Sequence, residues 1–310
     1  MRLPRLRSPG PALPVLTLVA ALTLAGCSTA AGRAPTSSSS PISIVAAENF
    51  WGSIAAQLGG DKVKITSIIN SPDADPHDYE ATAADGREVA TADMVIINGV
   101  GYDGWATKLA EANPSERRTD LTVGSVVGVK DGGNPHRWYN PGDVTKVTDA
   151  ITADLKKRDP ADAAYFETQK QAFTTTARGP YDKVVADIKT RYSGLKVGAS
   201  ESIVAMIAPA LGLDLVTPPD FLTAISEGTD PTAADKKTID AQISAKEIKV
   251  YIYNSQNATP DVQAQVDAAK AQGIPVTTIT ETMTPATDSW EQWQTRQLVS
   301  LQKALAQAAA

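Results

Sequence analysis

Two blocks of alternating strand-like and helix-like segments, separated by a long helical stretch, constrain the fold of this 310-residue chain most strongly. In the first block, the apolar runs 42–47, 63–69 and 94–98 are each followed by a helical pattern. The second block, from residue 194, repeats the alternation. Strands that alternate with helices form βαβ units and a parallel sheet. We therefore predict an α/β protein of two lobes, each with a mainly parallel sheet flanked by helices.

The helical stretch between the blocks, residues 161–193, contains no strand-like run. Gly179-Pro180 is expected to kink this helix or to break it in two, because proline lacks an N–H and clashes with the preceding turn. We predict that the stretch is a long connector helix. It would join an N-terminal lobe, residues 41–160, to a C-terminal lobe, residues 194–310.

Local patterns assign three more segments. The apolar run 121–127 predicts a further strand, and residues 217–228, which contain Pro218-Pro219, predict irregular chain. Residues 141–157 predict an amphipathic helix, because their apolar side chains recur at helical spacing.

The chain begins with the pattern of an export signal, a basic start followed by an apolar run at residues 15–25. A membrane-spanning helix needs about 20 apolar residues. The run is therefore too short to span a membrane, and residues 1–26 are predicted to be a signal peptide. The end of this segment, Leu24-Ala25-Gly26-Cys27, resembles the bacterial lipobox, which implies cleavage before Cys27 and a lipid on its sulfur. The alternative is an ordinary cleavage site followed by an unmodified cysteine.

Residues 27–40 are rich in Ser, Thr, Ala and Pro and are predicted to be a flexible tether. With the lipid, this tether predicts an extracytoplasmic protein anchored to the outer face of the cell membrane. Cys27 is the only cysteine, so the chain cannot form an internal disulfide. The net charge of −6, with Lys and Arg scattered along the chain, argues against nucleic-acid binding.

Two matching loops hold the only two histidines. The loops are Asp75-Pro76-His77-Asp78-Tyr79 and Asn134-Pro135-His136-Arg137-Trp138. Proline favours extended backbone in the residue before it, so each imidazole is carried on a stiffened loop after a predicted strand. A lone loop histidine is usually a surface side chain without a role. Two histidines at matching positions favour a role as metal ligands.

Two carboxylates follow predicted strands of the second block, Glu201 after residues 195–199 and Glu281 after residues 274–279. Ligands of open α/β sheets bind beyond the carboxyl ends of the strands. Two imidazoles from one lobe and two carboxylates from the other would thus form a metal site across a cleft, and they would cancel the charge of a divalent cation. From the residues alone, Glu201 could equally stabilise the first turn of a helix, and Glu281 could be a solvated loop acid.

Nearly the whole chain after the tether resembles the zinc/manganese solute-binding proteins of bacterial ABC transporters. The most specific segment is Asp75-Pro76-His77-Asp78-Tyr79-Glu80, and residues 47–52, 92–99 and 134–138 also resemble segments of that family. The resemblance implies two α/β lobes joined by one long helix that resists hinging.

The resemblance also implies four metal ligands. His77 and His136 correspond to the histidines of two metal loops, and Glu201 to a third ligand that is His or Glu in the family. The fourth ligand is usually Asp in a Thr-Asp pair. This chain has Thr280-Glu281 at that place, so Glu281 is the expected ligand and Asp288 the fallback.

Further side chains are expected around the ion. Tyr79, Trp105 and Trp138 are predicted to form an apolar rim, and Asn140 and Asp143 to hydrogen-bond the ligand loops. Two oxygen donors favour a hard ion such as Mn²⁺, whereas Zn²⁺ binds more tightly at most N/O sites. We expect Mn²⁺ or Zn²⁺, and Fe²⁺ remains open.

The function that the resemblance implies is a monomeric receptor, not an enzyme, that captures Mn²⁺ or Zn²⁺ and delivers the ion to an ABC permease. One alternative is a binding protein for a metal chelate of the siderophore type, with Tyr102, Trp105, Arg137 and Trp138 in a roomier cleft. A surface adhesion lipoprotein is another. A metal-dependent hydrolase is the third alternative, but the chain contains no His-Glu-x-x-His, Gly-x-Ser-x-Gly or Gly-rich phosphate motif.

Overall fold

The computed structural model describes residues 40–310. The expected signal peptide, the expected lipidation site Cys27 and all of the expected tether except residue 40 lie outside the described residues. Between residues 40 and 310, no helix combines the length and the apolar character needed to cross a membrane.

The first sheet consists of four parallel strands in the order β2-β1-β3-β4. The strands are β1 (Ile42–Glu48), β2 (Val63–Ile69), β3 (Met94–Ile97) and β4 (Thr119–Thr122). They alternate with α1 (Asn49–Gly59), α2 (Ala83–Thr91), α3 (Gly104–Ala112), α4 (Val123–Val127) and α5 (Pro141–Arg158). All residues of β3 are buried, as expected for a parallel strand that helices cover on both faces.

The chain between the two sheets is helical. It comprises α6 (Ala163–Ala172), a π-helical segment (Phe173–Ala177) and α7 (Gly179–Tyr192). Pro180 lies in the first turn of α7, where its missing N–H breaks no helical hydrogen bond. The interruption expected at Gly179-Pro180 is therefore present as the start of a new helix.

The second sheet also has four parallel strands, in the order β6-β5-β7-β8. The strands are β5 (Lys196–Ala199), β6 (Asp214–Leu215), β7 (Val250–Asn254) and β8 (Val276–Ile279). The helices are α8 (Ile203–Leu211), α9 (Pro219–Ser226), α10 (Ala233–Ser244), α11 (Pro260–Ala271) and α12 (Trp290–Ala309). The prediction of an α/β protein with two mainly parallel sheets is confirmed.

Two local predictions are wrong. Residues 121–127 do not form one strand, because β4 ends at Thr122 and α4 follows directly. Short apolar runs do not distinguish a buried strand from a buried helical turn. Residues 217–228 are not irregular, because they contain α9. Pro219 begins that helix at a position where proline is favoured, and Phe221, Leu222 and Ile225 bury its apolar face.

One hydrophobic cluster takes in side chains from both sheets and from the connecting helices. Its members include Ile44 and Met94 from the first sheet, Val250 and Ile252 from the second, Phe166, Phe173, Tyr181 and Ile188 from the connecting region, and Trp290 and Trp293 from α12. Because these side chains pack as one cluster, moving one sheet against the other would open apolar contacts. The loops at the carboxyl ends of the strands are thus held by a common core.

Candidate metal centre

His136 lies in the loop after α4, and its side chain is only 1% exposed. Its backbone N–H donates to Asn134 Oδ1, and its Nδ1 lies 3.0 Å from the same oxygen. Ser202 Oγ is 3.2 Å from Nδ1. An amide oxygen only accepts hydrogen bonds, so Nδ1 carries the ring proton and Nε2 keeps a free lone pair. Within residues 40–310 this buried Nε2 has no hydrogen-bond partner.

His77 lies in the loop between β2 and α2, and its side chain is 30% exposed. The backbone N–H of His77 donates to Asp75 Oδ1 at 2.8 Å. The imidazole packs edge-on against Tyr102, with 4.7 Å between the ring centroids. Trp105 Nε1 donates to the Pro76 carbonyl at 3.0 Å. The loop is therefore supported from its own lobe, but its histidine is far more open to solvent than His136.

The carboxylate of Glu281, from the second lobe, faces both histidines. Glu281 Oε1 lies 3.6 Å from His77 Nε2 and 3.7 Å from His136 Nε2. Glu201 follows β5 and is 1% exposed. Its Oε2 accepts a hydrogen bond from Asn254 Nδ2 at 3.0 Å, whereas its Oε1 has no partner in residues 40–310. The cluster therefore presents unpaired imidazole and carboxylate atoms to one another.

Burial controls the charge of this cluster. It raises the pKa of Glu201 to about 8, and the negative charge of Glu281 adds to the rise. Burial also acts to raise the pKa of Glu281, but the adjacent imidazoles of His136 and His77 outweigh it and hold that pKa well below its usual range. For His77, burial acts against the charged form, but the nearby carboxylate of Glu281 raises the pKa. A divalent cation would supply positive charge beside the buried Glu201 and the half-buried Glu281.

Glu281 lies within 3.7 Å of both imidazoles, but the four side chains are not arranged as ligands around an ion. Residues 40–310 contain no group of three or more His, Cys, Asp or Glu side chains already positioned to hold a metal ion. Donor atoms that share a tetrahedral Zn²⁺ at about 2.0–2.1 Å are roughly 3.3 Å apart. The separations of 3.6 and 3.7 Å at Glu281 are slightly longer. Small side-chain movements would bring these atoms to bonding distance.

The three aromatic residues that were expected to form an apolar rim, Tyr79, Trp105 and Trp138, have different surroundings. Trp138 is fully buried and packs edge-on against His136 at 5.3 Å. Tyr79 packs against Trp105 at 4.7 Å, and its hydroxyl donates to Asp85. Tyr79 and Trp105 therefore support the His77 loop from outside the cluster.

Asn140 and Asp288 are engaged elsewhere. Asn140 Oδ1 accepts from the backbone N–H groups of Gly142 and Asp143, so it caps the first turn of α5. Asp143, the other expected partner of the ligand loops, pairs with Arg137. Asp288 forms an ion pair with Arg296, which occupies its carboxylate.

Sequence reasoning missed three side chains that organise the cluster. Asn134 accepts from His136 and, through Nδ2, donates to the Ser202 carbonyl of the other lobe at 2.7 Å. Its position two residues before His136, ahead of a proline, is the signal that could have identified it. Asn254, the last residue of β7, contacts Glu201, and Gln256 in the loop after β7 contacts the backbone of Glu281. Neither carries a comparable local signal.

We expect Asn134→Ala to weaken metal binding by roughly 10- to 100-fold, the usual effect of removing the partner of a ligating histidine. The amide fixes both the tautomer and the direction of the His136 ring. Competition with a chromophoric chelator would measure the change in Kd. Asn140→Ala removes a helix cap instead, so its free energy of unfolding should fall by about 1 kcal/mol. Its metal affinity should change little. A larger affinity loss in Asn140→Ala than in Asn134→Ala would contradict this assignment.

A cavity of about 650 Å³ opens beside His77 and Glu281. Loops of both lobes line it, namely residues 72–78 of the first and residues 226–228, 255–257 and 281–282 of the second. The lining residues include Asp73, Asp75, Asp78, Glu227 and Glu281, and none of them is Lys or Arg. The entrance to the cluster is therefore acidic.

Several known proteins are similar to this chain. It is 26% identical over 203 residues to the manganese ABC transporter substrate-binding lipoprotein PsaA of Streptococcus pneumoniae serotype 4, covering 61% of this chain and 63% of PsaA. It is 30% identical over 171 residues to the metal ABC transporter substrate-binding lipoprotein SsaB of Streptococcus sanguinis, covering 51% of this chain and 54% of SsaB. The chain thus spans between about half and two thirds of the length of these relatives.

Solved structures share the fold. The Mn-bound periplasmic metal binding protein of Candidatus Liberibacter asiaticus superposes with a TM-score of 0.71 at 18% identity, over 85% of this chain and 99% of that protein. FpvC of Pseudomonas aeruginosa in complex with Ni²⁺ superposes with a TM-score of 0.68 at 20% identity, over 88% of this chain and 99% of FpvC. The model of the family described as zinc-uptake complex component A, periplasmic, matches residues 44–304. That match covers most of both lobes, and the chain therefore belongs to the ZnuA family.

Proposed function

We propose that this protein is an extracytoplasmic binding protein that captures a divalent transition-metal ion between its two lobes and delivers it to an ABC permease for uptake. The observation that carries the proposal is the buried Nε2 of His136, which has no hydrogen-bond partner among the described residues and faces Glu281 beside His77. Leaving such a group unpaired costs free energy that a bound cation would recover. In this proposal His77, His136, Glu201 and Glu281 are the ligands, and the ion is bound without turnover.

The proposed cargo is Mn²⁺ or Zn²⁺. Two imidazoles and two carboxylates suit both ions, since oxygen donors favour Mn²⁺ and the Irving–Williams order favours Zn²⁺. Relatives are named for several metals, including manganese for PsaA and iron for the protein YfeA of Yersinia pestis. The ion that the cell loads would then depend on metal availability as well as on affinity.

The acidic cavity argues against a metal chelate of the siderophore type as the ligand. Such chelates are usually anionic and need Arg or Lys, and neither lines the cavity. Arg137, the nearest candidate in the sequence, is paired with Asp143, and Trp138 is fully buried. Acidic walls instead raise the local concentration of free cations.

We also propose that Cys27 carries a lipid that anchors the protein to the outer face of the cell membrane. The support is the sequence Leu24-Ala25-Gly26-Cys27 and the naming of PsaA and SsaB as lipoproteins. In this arrangement the protein acts as a monomer beside its permease, with residues 27–40 as the tether.

Thermal unfolding of the metal-stripped protein, titrated with Mn²⁺, Zn²⁺ and Fe²⁺, tests the proposed function. An ion that binds only the folded state stabilises it by about 4 kcal/mol at a thousand-fold excess over Kd. For a chain of this size, that corresponds to a rise in Tm of roughly 8–16 °C. Ca²⁺ serves as the control ion, since it prefers six to eight oxygen ligands. If none of the three transition metals raises Tm, the proposal is wrong.

A further inference from the structure

The side chain of Gln256 connects two loops that the candidate site draws from opposite lobes. Gln256 lies between β7 and α11, and its backbone N–H donates to Asn254 Oδ1 at 2.9 Å. Its Oε1 accepts from the backbone N–H of Glu281 at 2.7 Å and of Thr282 at 3.0 Å. Its Nε2 donates to Thr282 Oγ1 and to the Pro72 carbonyl, both at 2.7 Å.

These four contacts use the full hydrogen-bonding capacity of a primary amide, which has two acceptor lone pairs and two donor hydrogens. The partners also define the orientation of the amide, because two N–H groups require its oxygen and a carbonyl requires its nitrogen. Gln256 is exposed, and fixing an exposed glutamine costs rotamer entropy. A side chain held by four bonds at this place therefore constrains the loops that it touches.

The two loops differ in how firmly they are held. Close to Glu281, the Tyr139 hydroxyl donates to the Thr280 carbonyl at 2.6 Å, and Tyr139 is buried. Asn134 likewise joins the His136 loop to the second lobe through the Ser202 carbonyl. On the His77 side, the bond from Gln256 to Pro72 lies at the exposed wall of the cavity. The His77 loop is thus tied to the second lobe by an exposed bond, while Trp105 holds it at Pro76 from its own lobe.

We propose that Gln256 is a latch, a positioning residue whose amide ties the His77 loop to the Glu281 loop and so limits the escape of the bound ion. Pro72 stands five positions before His77, and the other bonds of Gln256 hold the backbone of Glu281 itself. Breaking the Pro72 bond releases the His77 loop from the Glu281 loop and leaves the buried His136 and Glu201 in place. This role rests on the proposed function, in which both loops supply ligands.

Hydrogen–deuterium exchange of the metal-free, full-length protein tests the latch without any ion, read at the amides of residues 73–79. Gln256→Glu keeps oxygens that accept from Glu281 and Thr282, but it turns an oxygen toward the Pro72 carbonyl. Gln256→Met removes all four side-chain bonds. We expect exchange at residues 73–79 to be about 2- to 10-fold faster in both variants, the factor expected for one lost hydrogen bond.

The pair of variants separates a latch from simple support of the Glu281 loop. If exchange at residues 73–79 is faster only in Gln256→Met, or is faster in neither variant, the latch is refuted. Ser255→Ala, in the same loop, is the matched control and should exchange like the wild type.

Release of Mn²⁺ or Zn²⁺ into excess chelator, followed by stopped flow, is the second measurement. Gln256→Met is expected to release the ion about 2- to 10-fold faster than the wild type, and Ser255→Ala at the wild-type rate. An unchanged release rate in Gln256→Met would overturn the proposal. If the wild type takes up neither ion, the proposed function fails, while exchange at residues 73–79 still decides whether Gln256 holds the loop.

Discussion

His136→Ala is expected to weaken binding of Mn²⁺ and Zn²⁺ by roughly 10²- to 10³-fold. Apparent binding free energies of structural zinc sites are roughly 10–16 kcal/mol, so one of four ligands accounts for about 3–4 kcal/mol. The substitution removes the buried Nε2 that faces Glu281. Isothermal titration of the metal-free protein, with chelator competition for tight binding, would measure the loss.

His77→Ala is the matched comparison, because it removes the other imidazole from a loop that is open to solvent. We expect a smaller affinity loss than in His136→Ala, since water can reach the vacated position of His77 and replace the missing ligand. Far-UV circular dichroism of both metal-free variants would check that the fold is intact. Wild-type affinity in a folded His136→Ala protein would contradict the ligand assignment.

Trp138→Ala is expected to lower the free energy of unfolding by about 3–5 kcal/mol, the usual cost of removing a large buried aromatic side chain. The indole is fully buried and stacks on Phe50, with 4.0 Å between centroids and 19° between planes. It also packs against Tyr102 at 5.0 Å and edge-on against His136 at 5.3 Å. We therefore expect metal affinity to fall as well, because the His136 ring loses the surface that holds it. Urea unfolding of the metal-free protein would measure the stability.

Trp138→Phe provides the control for this prediction. It keeps an aromatic ring against Phe50 and gives up no hydrogen bond, since Trp138 Nε1 has no partner within residues 40–310. Its loss of stability should be clearly smaller than that of Trp138→Ala. Equal urea midpoints for Trp138→Ala and the wild type would show that the indole contributes little to the core.

Much of the fold could be predicted because strand-like runs and helical patterns alternate regularly along the chain. The helix now seen as α5 was predicted from its apolar repeat, and β1, β2 and β3 from their short apolar runs. Prediction failed where the chain is short and apolar, at α4, or proline-rich, at α9. Strand β6 has two residues and carries no periodicity to detect.

The sequence by itself determined which candidate donor side chains are available and their approximate place. Each of the four side chains was expected in a loop after a predicted strand, and that position follows from local pattern. The four are His77, His136, Glu201 and Glu281. Local pattern also accounts for the stiff X-Pro-His loops. These features depend on residues near one another in the chain.

Only the tertiary structure decided which donor atoms are unpaired and which of the loops is firmly held. The His136 loop is joined to the second lobe by Asn134 with Ser202, 68 positions apart, and the His77 loop by Gln256 with Pro72, 184 positions apart. A hydrogen bond across such a distance leaves no mark on local periodicity, because either partner alone has the pattern of an ordinary loop residue. Its formation depends on the packing of both lobes around the common core, which no short stretch of sequence specifies.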